Sequence, residues 1–321
     1  MDMPYVVGID VGGQTSKLGV VDMRGQVLAQ TVIRTDTHDE IEPYIDDLAE
    51  AVNKVITDAG VAGQVRGIGM GIPNGNYYTG EIENAVNLKW GKQGTLPVAK
   101  LLSDKMGGIP VALTNDANAA AMGEMTYGAA RGMKNFIMIT LGTGVGSGIV
   151  INGEVVYGHD GFAGELGHTC VVRHNGRLCN CGKTGCLETY ASATGVARTA
   201  REYLTVSTED SLLRKLDPEK ITSLDVSIAA SKGDALAKRV YEFTGKMLGD
   251  ACADFAAFCS PEAFIFFGGL TKAGDLIMKP IEEEYNKHVL NIFRGKAKFL
   301  VSTLDDAGAA VLGASAIGWD L

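Results

Sequence analysis

The chain has 321 residues, 46% of them hydrophobic, with 42 glycines, six cysteines and a formal net charge of −9 at pH 7. That length predicts two domains rather than one core, and the acidic balance argues against a nucleic-acid partner, because phosphate-backbone binding usually shows as a basic surplus. The uncharged run 135–153 has glycine and threonine at its centre, so it reads as two strands about a turn. A membrane span would need about 20 predominantly apolar residues, so no membrane partner is expected. The opening residues pass straight into a strand pattern without the look of a signal peptide, which predicts a cytoplasmic protein with reduced cysteines.

In chain order, Tyr5–Val11 reads as a buried strand, and 17–21 and 27–33 as two more joined by short turns, an antiparallel meander. The first turn is Gly12-Gly13-Gln14-Thr15. Paired glycines let backbone N–H groups approach an anion, with Thr15 and Lys17 as further donors, and Asp10 at the mouth can hold magnesium through water. The same residues also make an ordinary tight turn. Apolar residues at helical spacing from Ile41 to Val55 predict a helix over 38–59 that stops at Gly60. The strand 65–72 then runs into Pro73-Asn74-Gly75-Asn76, at the carboxyl end of a buried strand, where open α/β sheets place ligands. These residue types favour simple turns as well. A helix over 96–105 and a short strand over 111–113 lead to Thr114-Asn115-Asp116-Ala117-Asn118, a strand end passing into an alanine-rich helix. Asp116 there is either a helix cap or a site acid.

Strands over Phe136–Leu141 and 147–151 bracket Gly142-Thr143-Gly144-Val145-Gly146, which repeats the strand, glycine turn, strand layout of the N-terminus. An internal repeat of this kind predicts two similar domains, each offering a backbone anion loop to a polyphosphate. Helices are predicted over 192–204, 227–232 and 235–258. The apolar strand Ala263–Phe267 runs into Gly268-Gly269, where glycines let a flat ring or a backbone come close. An Ala- and Gly-rich helix over 307–317 closes the chain, and the polar excursion 205–225 is the expected mobile surface.

The glycine-rich stretch 162–188 brings His168, Cys179, Cys181 and Cys186 close together between Glu165 and Glu188. One imidazole and three thiolates suit a closed, structural zinc site. The competing readings are a disulfide framework, which needs an oxidising compartment, and free or redox thiols. Residues 181–184 mimic the end of a phosphate-binding P-loop, but that motif needs glycine at 177, where Arg177 stands. Cys170, Cys252 and Cys259 lie outside the cluster and read as buried small hydrophobes.

Taken together, Asp10-x-Gly12-Gly13, Asn115-Asp116-Ala117-Asn118-Ala119-Ala120, Leu141-Gly142-Thr143-Gly144-Val145-Gly146, Glu165-x-Gly167-His168 and Cys179-x-Cys181-Gly182-x-x-Gly185-Cys186-x-Glu188 resemble the ROK family of sugar kinases, within the actin-like ATPase superfamily. The resemblance implies an α/β fold of two ribonuclease-H-like domains flanking an active-site cleft. The first would hold 1–121 with the C-terminal helix 305–321, and the second 122–304 with a zinc module over 165–188. It implies ATP-dependent phosphorylation of a hexose, glucose first, with N-acetylhexosamine, fructose, mannose and allose as alternatives. Asp116 matches the general base. Asn115, Glu165, His168 and Glu188 match sugar ligands, with Gly75 and Asn76 in a loop that borders the sugar. Nucleotide contacts fall to Asp10, Gly12, Gly13, Gln14, Thr15, Lys17, Gly142, Thr143, Gly144, Gly268 and Gly269. ATP with Mg²⁺ and a structural Zn²⁺ are the implied cofactors, and a homodimer the implied assembly. Gln14 stands where the family commonly has threonine, and Pro-Asn-Gly-Asn where it often reads Pro-Gly. A sugar-responsive repressor is the other reading within the family. Such regulators carry a DNA-binding domain ahead of the sugar domain, and here the first strand begins by Tyr5.

Overall fold

A computed structural model describes residues 4–92, 94–304 and 308–321. They divide into two compact units, one of residues up to Lys134 with Gly148–Gly164 and Ser302–Leu321, the other of Asn135–Ser147 and Glu165–Val301.

The first unit opens on the meander β1 (Tyr5–Val11), β2 (Thr15–Asp22) and β3 (Val27–Arg34), followed by α1 (Ile41–Asp58) and β4 (Val65–Gly71). A small three-stranded sheet, β5 (Gly75–Asn76), β6 (Glu81–Glu83) and β7 (Thr95–Leu96), precedes α2 (Val98–Lys105), β8 (Val111–Thr114) and α3 (Asp116–Tyr127). The main sheet has the order β3-β2-β1-β4-β8, antiparallel through the meander and parallel from β1 onward. Helix α1 exists because Ile41, Tyr44, Ile45, Leu48, Val52 and Val55 recur at helical spacing and are all buried against this sheet. It starts at Ile41 rather than 38, because Pro43 has no N–H to bond back to Asp39 and is best tolerated in a first turn.

The second sheet repeats the plan. It is built from β9 (Phe136–Leu141), β10 (Val145–Ile151) and β11 (Glu154–Val155), then, after α4 (Glu188–Ala191), α5 (Ala193–Val206), α6 (Ser223–Ser231) and α7 (Ala235–Cys259), from β12 (Ala263–Phe267) and, past α8 (Asp275–His288), β13 (Lys298–Val301). Its order is β11-β10-β9-β12-β13, with β12 parallel to both β9 and β13. A meander continued by parallel strands, occurring twice, is the ribonuclease-H-like plan that the internal repeat and the family resemblance pointed to.

Helix α9 (Ala309–Gly318) returns to the first unit, and glycine makes room for it. A Cβ on Gly8 would stand 2.1 Å from the Val311 carbonyl oxygen, and one on Gly69 2.1 Å from that of Ala314, so the helix lies directly on the backbone of β1 and β4. The expected start of this helix at Ala307, like the expected segment start at Asp305, lies outside the described residues. The boundary placed after 121 falls inside α3, which runs unbroken to Tyr127.

Several segments differ from the sequence reading, among them the unpredicted short strands β5, β6, β7, β11 and β13. The stretch 205–225 is tied down: Leu213 and Ile221 are buried, Asp234 accepts from the Ser211 hydroxyl and the Leu212 N–H, and Arg214 reaches the carbonyls of Leu204, Ser207 and Glu209. Helix α6 starts at Ser223, before the predicted 227, because Thr222 and Asp225 close a capping box. The unpredicted helix α8 forms although Pro280, which weighs against a helix, lies inside it. The proline ring packs over Gly245 of α7, where a Cβ would stand 2.6 Å away.

Candidate active site

In the first unit, Asp10 lies opposite Gly71 in the β1–β4 register, and Gly71 opposite Thr114 in the β4–β8 register. Three parallel strands therefore end in one row, and the chain leaves that row through Asn115 and Asp116. A Cβ on Gly71 would stand 3.6 Å from the Asp116 Cα and 4.0 Å from Asp10 Oδ1, so this glycine lies between the two acids. Asn115 is the N-cap of α3, accepting the Ala117 N–H at 2.9 Å, and Asp116 Oδ1 accepts the same N–H at 2.8 Å. Asn115 is thus the cap residue, and Asp116, which shares that N–H, opens the helix as an acid at its positive end.

Burial pushes the Asp116 carboxyl well above the usual carboxylate range, although its backbone hydrogen bonds pull the other way. Asp10 is pushed up to about 6, by burial first and then by the charge of Asp116, against the pull of Lys17, its partner across β2. This raised value makes a testable statement about stability. Between about pH 4 and 6 the folded protein holds the Asp10 proton that the unfolded chain releases, so stability falls as pH rises through this window. Asp10→Asn, measured without metal at pH 7.5, should therefore be more stable than the parent by roughly 1–3 kcal/mol. The gain should vanish near pH 4. Equal melting curves at both pH values would show that the burial of Asp10 carries no cost.

The turn beside Asp10 is shaped by its own hydrogen bonds. Gly12 N–H donates to the Thr15 carbonyl at 3.0 Å, and the Gln14 carbonyl accepts from Thr35 N–H at 2.9 Å. Gly13 presses on the Asn87 carbonyl, 2.8 Å from where a Cβ would be, and Gln14 is exposed. Gly75 lies against the Thr114 carbonyl, so the 73–76 loop borders the strand end that carries Asn115. Asn76 is 3% exposed, and its amide is bonded to the backbone of Tyr78, Thr79 and Asp160.

In the second unit, the turn Gly142–Gly144 joins β9 to β10 and is braced from three sides. Gly142 accepts the Ala193 N–H at 2.8 Å, the Thr143 carbonyl accepts the Thr194 hydroxyl at 2.9 Å, and Glu188 Oε2 accepts the Val145 N–H at 3.0 Å. A side chain at Gly144 would strike Glu188, whose Oε2 lies 2.2 Å from the ideal Cβ. Gly268 (φ 111°) abuts the Leu141 carbonyl at the end of β9, and Gly269 opens onto free space. Glu165, His168 and Glu188 gather about the start of β10: Gly167 packs on the Val145 carbonyl, and His168 Nε2 faces Glu165 Oε2 at 4.0 Å.

The other ring nitrogen of His168 faces the cysteines. Nδ1 is 3.7 Å from Cys179 Sγ, Cys181 and Cys186 Sγ are 3.7 Å apart, and all four ligand atoms lie within 4.8 Å of one another. Tetrahedral zinc, with sulfur at about 2.3 Å and nitrogen at about 2.1 Å, spaces its ligand atoms by roughly 3.5–3.8 Å, so the donors fit the metal. No disulfide joins any of the six cysteines. Cys252 is buried as expected, Cys259 is half-buried, and Cys170 is exposed rather than buried. Its thiol donates to the Val172 and Thr184 carbonyls on the rim of the metal loop.

The ROK family model matches residues 6–320. The chain belongs to the ROK family. It is 40% identical over 308 residues to a glucokinase of Halalkalibacterium halodurans, covering 95% of this chain and 92% of the relative. With a glucokinase of Thermotoga maritima it shares 35% identity over 317 residues, 97% and 96% of the two chains. The crystal structure of a ROK family glucokinase from Streptomyces griseus in complex with glucose and AMPPNP superposes with a TM-score of 0.79 at 31% identity, over 99% of this chain and 100% of that one.

Several residues that shape this ROK site escape sequence reasoning. Gly71 is the last of the alternating glycines Gly67, Gly69 and Gly71 in β4, a pattern that marks one strand face under close backbone approach. Arg177, in sequence only a departure from the P-loop motif, is another. It is 8% exposed, lies over the Tyr190 ring, and donates to the carbonyls of Thr189 and Gly195, the Thr199 hydroxyl and the Glu202 carboxylate. It thereby ties the metal loop to the first turns of α5, the same turns that hold Gly142 and Thr143.

Proposed function

We propose that this ROK protein transfers the γ-phosphoryl group of ATP to the 6-hydroxyl of glucose, with Asp116 as general base. The observation that carries the reading is the buried Asp116 carboxyl, raised in pKa, at the end of a parallel strand row and one residue from Asn115. A sugar hydroxyl is a weak nucleophile, and a carboxylate within hydrogen-bond reach accepts its proton as the oxygen attacks phosphorus. A raised pKa suits that role, because a more basic carboxylate holds the transferred proton more strongly.

Asn115, Glu165, His168, Glu188 and the backbone at Gly75 are assigned to the sugar hydroxyls. Carboxylate, amide and imidazole groups discriminate by leaving a buried polar group unpaired when a hydroxyl is missing. The turns at Gly12–Thr15 and Gly142–Gly144 are assigned to the phosphates, with Lys17 as an added charge, and Gly268-Gly269 to the nucleotide. Magnesium carried with ATP neutralises phosphate charge, and Asp10 is the residue placed to hold it through water.

Zinc bound by His168, Cys179, Cys181 and Cys186 would fix the imidazole through Nδ1 and leave Nε2 toward Glu165 and substrate. A cytoplasmic homodimer completes the proposal. The six unpaired thiols suit a reducing compartment, and among the described residues no helix is long and apolar enough to cross a membrane. The test is ADP release with ATP and magnesium over glucose, mannose, fructose, allose, N-acetylglucosamine and N-acetylmannosamine. Release that depends on glucose above the others is the expected result. Release with another sugar alone would reassign the substrate, and none with any sugar would end the kinase reading.

A further inference from the structure

We infer that Asn76 is a positioning residue: it straps residues 157–161 to the loop 73–79 and so sets how the chain enters Glu165, rather than reading a sugar hydroxyl itself. The kinetic part of this inference rests on the kinase reading, and its structural part does not.

An amide side chain offers two donors and two acceptor sites. In Asn76, Oδ1 accepts from Tyr78 N–H at 3.0 Å and Thr79 N–H at 3.4 Å, while Nδ2 donates to the Asp160 carbonyl at 2.8 Å. Three of the four places are filled inside the first unit, on a residue 3% exposed. The next residues join the same strap. Tyr78 donates its hydroxyl to the Gly158 carbonyl at 2.9 Å, and the Tyr77 ring stacks on Tyr157, 4.2 Å between centroids and 2° between planes. Tyr157 is in turn hydrogen-bonded through its hydroxyl to the side chain of Thr114, the residue just before Asn115. Gly161, at φ 91°, is pressed so close that a Cβ would stand 2.5 Å from Asn76 Oδ1.

The strapped segment has little conformational preference of its own. Gly158, Gly161 and Gly164 all have positive φ, a region that glycine enters freely and leaves as freely. No strand or helix spans 157–164. External anchors must then fix it, and Asn76 and Tyr78 supply polar ones at Asp160 and Gly158. Asp160 Oδ1 carries the order onward by accepting Phe162 N–H at 3.3 Å, three residues before Glu165. Loss of the strap should therefore be felt as weaker sugar binding, with the nucleotide turns untouched.

Hydrogen–deuterium exchange over the 157–164 peptide, together with separate KM values for glucose and ATP, tests this in Asn76→Ala, Asn76→Asp and Tyr78→Phe. Asn76→Asp keeps the acceptor for Tyr78 and Thr79 but replaces the Nδ2 donor with an oxygen facing the Asp160 carbonyl. Exchange in that peptide should accelerate about tenfold in both Asn76 variants and less in Tyr78→Phe. Glucose KM should rise in all three in the same order, with ATP KM within about twofold of the parent. Unchanged exchange in Asn76→Asp would overturn the strap, as would a raised glucose KM confined to the Asn76 variants. A parent protein without sugar-dependent ADP release would end the kinase reading, and the exchange result would still decide the strap.

Discussion

Asp116→Asn should fold as the parent does and lose about 10²–10⁴-fold in turnover, the usual contribution of a general base. The amide can still accept the Ala117 N–H that Asp116 accepts, and Asn115 independently caps the helix, so α3 keeps its start. The buried carboxylate disappears at the same time, and with it a charge that burial disfavours. The variant should therefore be at least as stable as the parent at neutral pH, with KM values for glucose and ATP little changed. The parent's kcat should also fall on acidification with an apparent pKa above the ordinary carboxylate value of 3.8, because burial raises Asp116. Since Asp10 titrates in the same field, that limb belongs to the pair rather than to one residue. Turnover within a few-fold of the parent would remove Asp116 from the base role.

Cys186→Ser should abolish zinc binding and destabilise the second unit. Its thiol is fully buried, 3.7 Å from Cys181 Sγ, and a serine hydroxyl is a poor substitute for a thiolate ligand. A structural zinc site contributes folding energy outright, so a loss of ~3–5 kcal/mol and a melting point lower by about 10 °C or more is expected. Sugar binding should weaken with it, because the same His168 ring faces the cysteines with Nδ1 and Glu165 with Nε2. Cys170→Ser is the control: that thiol is exposed and outside the four ligands, so metal content should stay at about one zinc per chain. A zinc-free Cys186→Ser protein with the parent's melting point and glucose KM would sever the metal from both stability and sugar binding.

The amino-acid sequence by itself determined the elements whose physics is local. The meander and its repeat follow from apolar runs broken by glycine turns, α1 from its apolar period, and the gathering of His168 with Cys179, Cys181 and Cys186 from their close spacing. The general-base candidate could be located at a strand end but not separated there from a helix cap, because Asn and Asp serve both purposes in the same pattern. The tertiary structure makes Asn115 the N-cap and leaves the Asp116 carboxyl buried at the strand end. Parallel registers set Asp10, Gly71 and Thr114 in one row, and these registers join residues that lie far apart in sequence and share no local window. For the same reason Asn76 read as a sugar-loop residue, whereas its partner Asp160 lies 84 residues away in sequence. Helix α8 is not legible in the sequence, because proline weighs against a helix locally, and the gap at Gly245 that accommodates its ring belongs to another helix. Charge and burial also act through space rather than along the chain. The raised pKa values of Asp10 and Asp116 come from what surrounds two strand ends, which is where the chemistry of the site is decided.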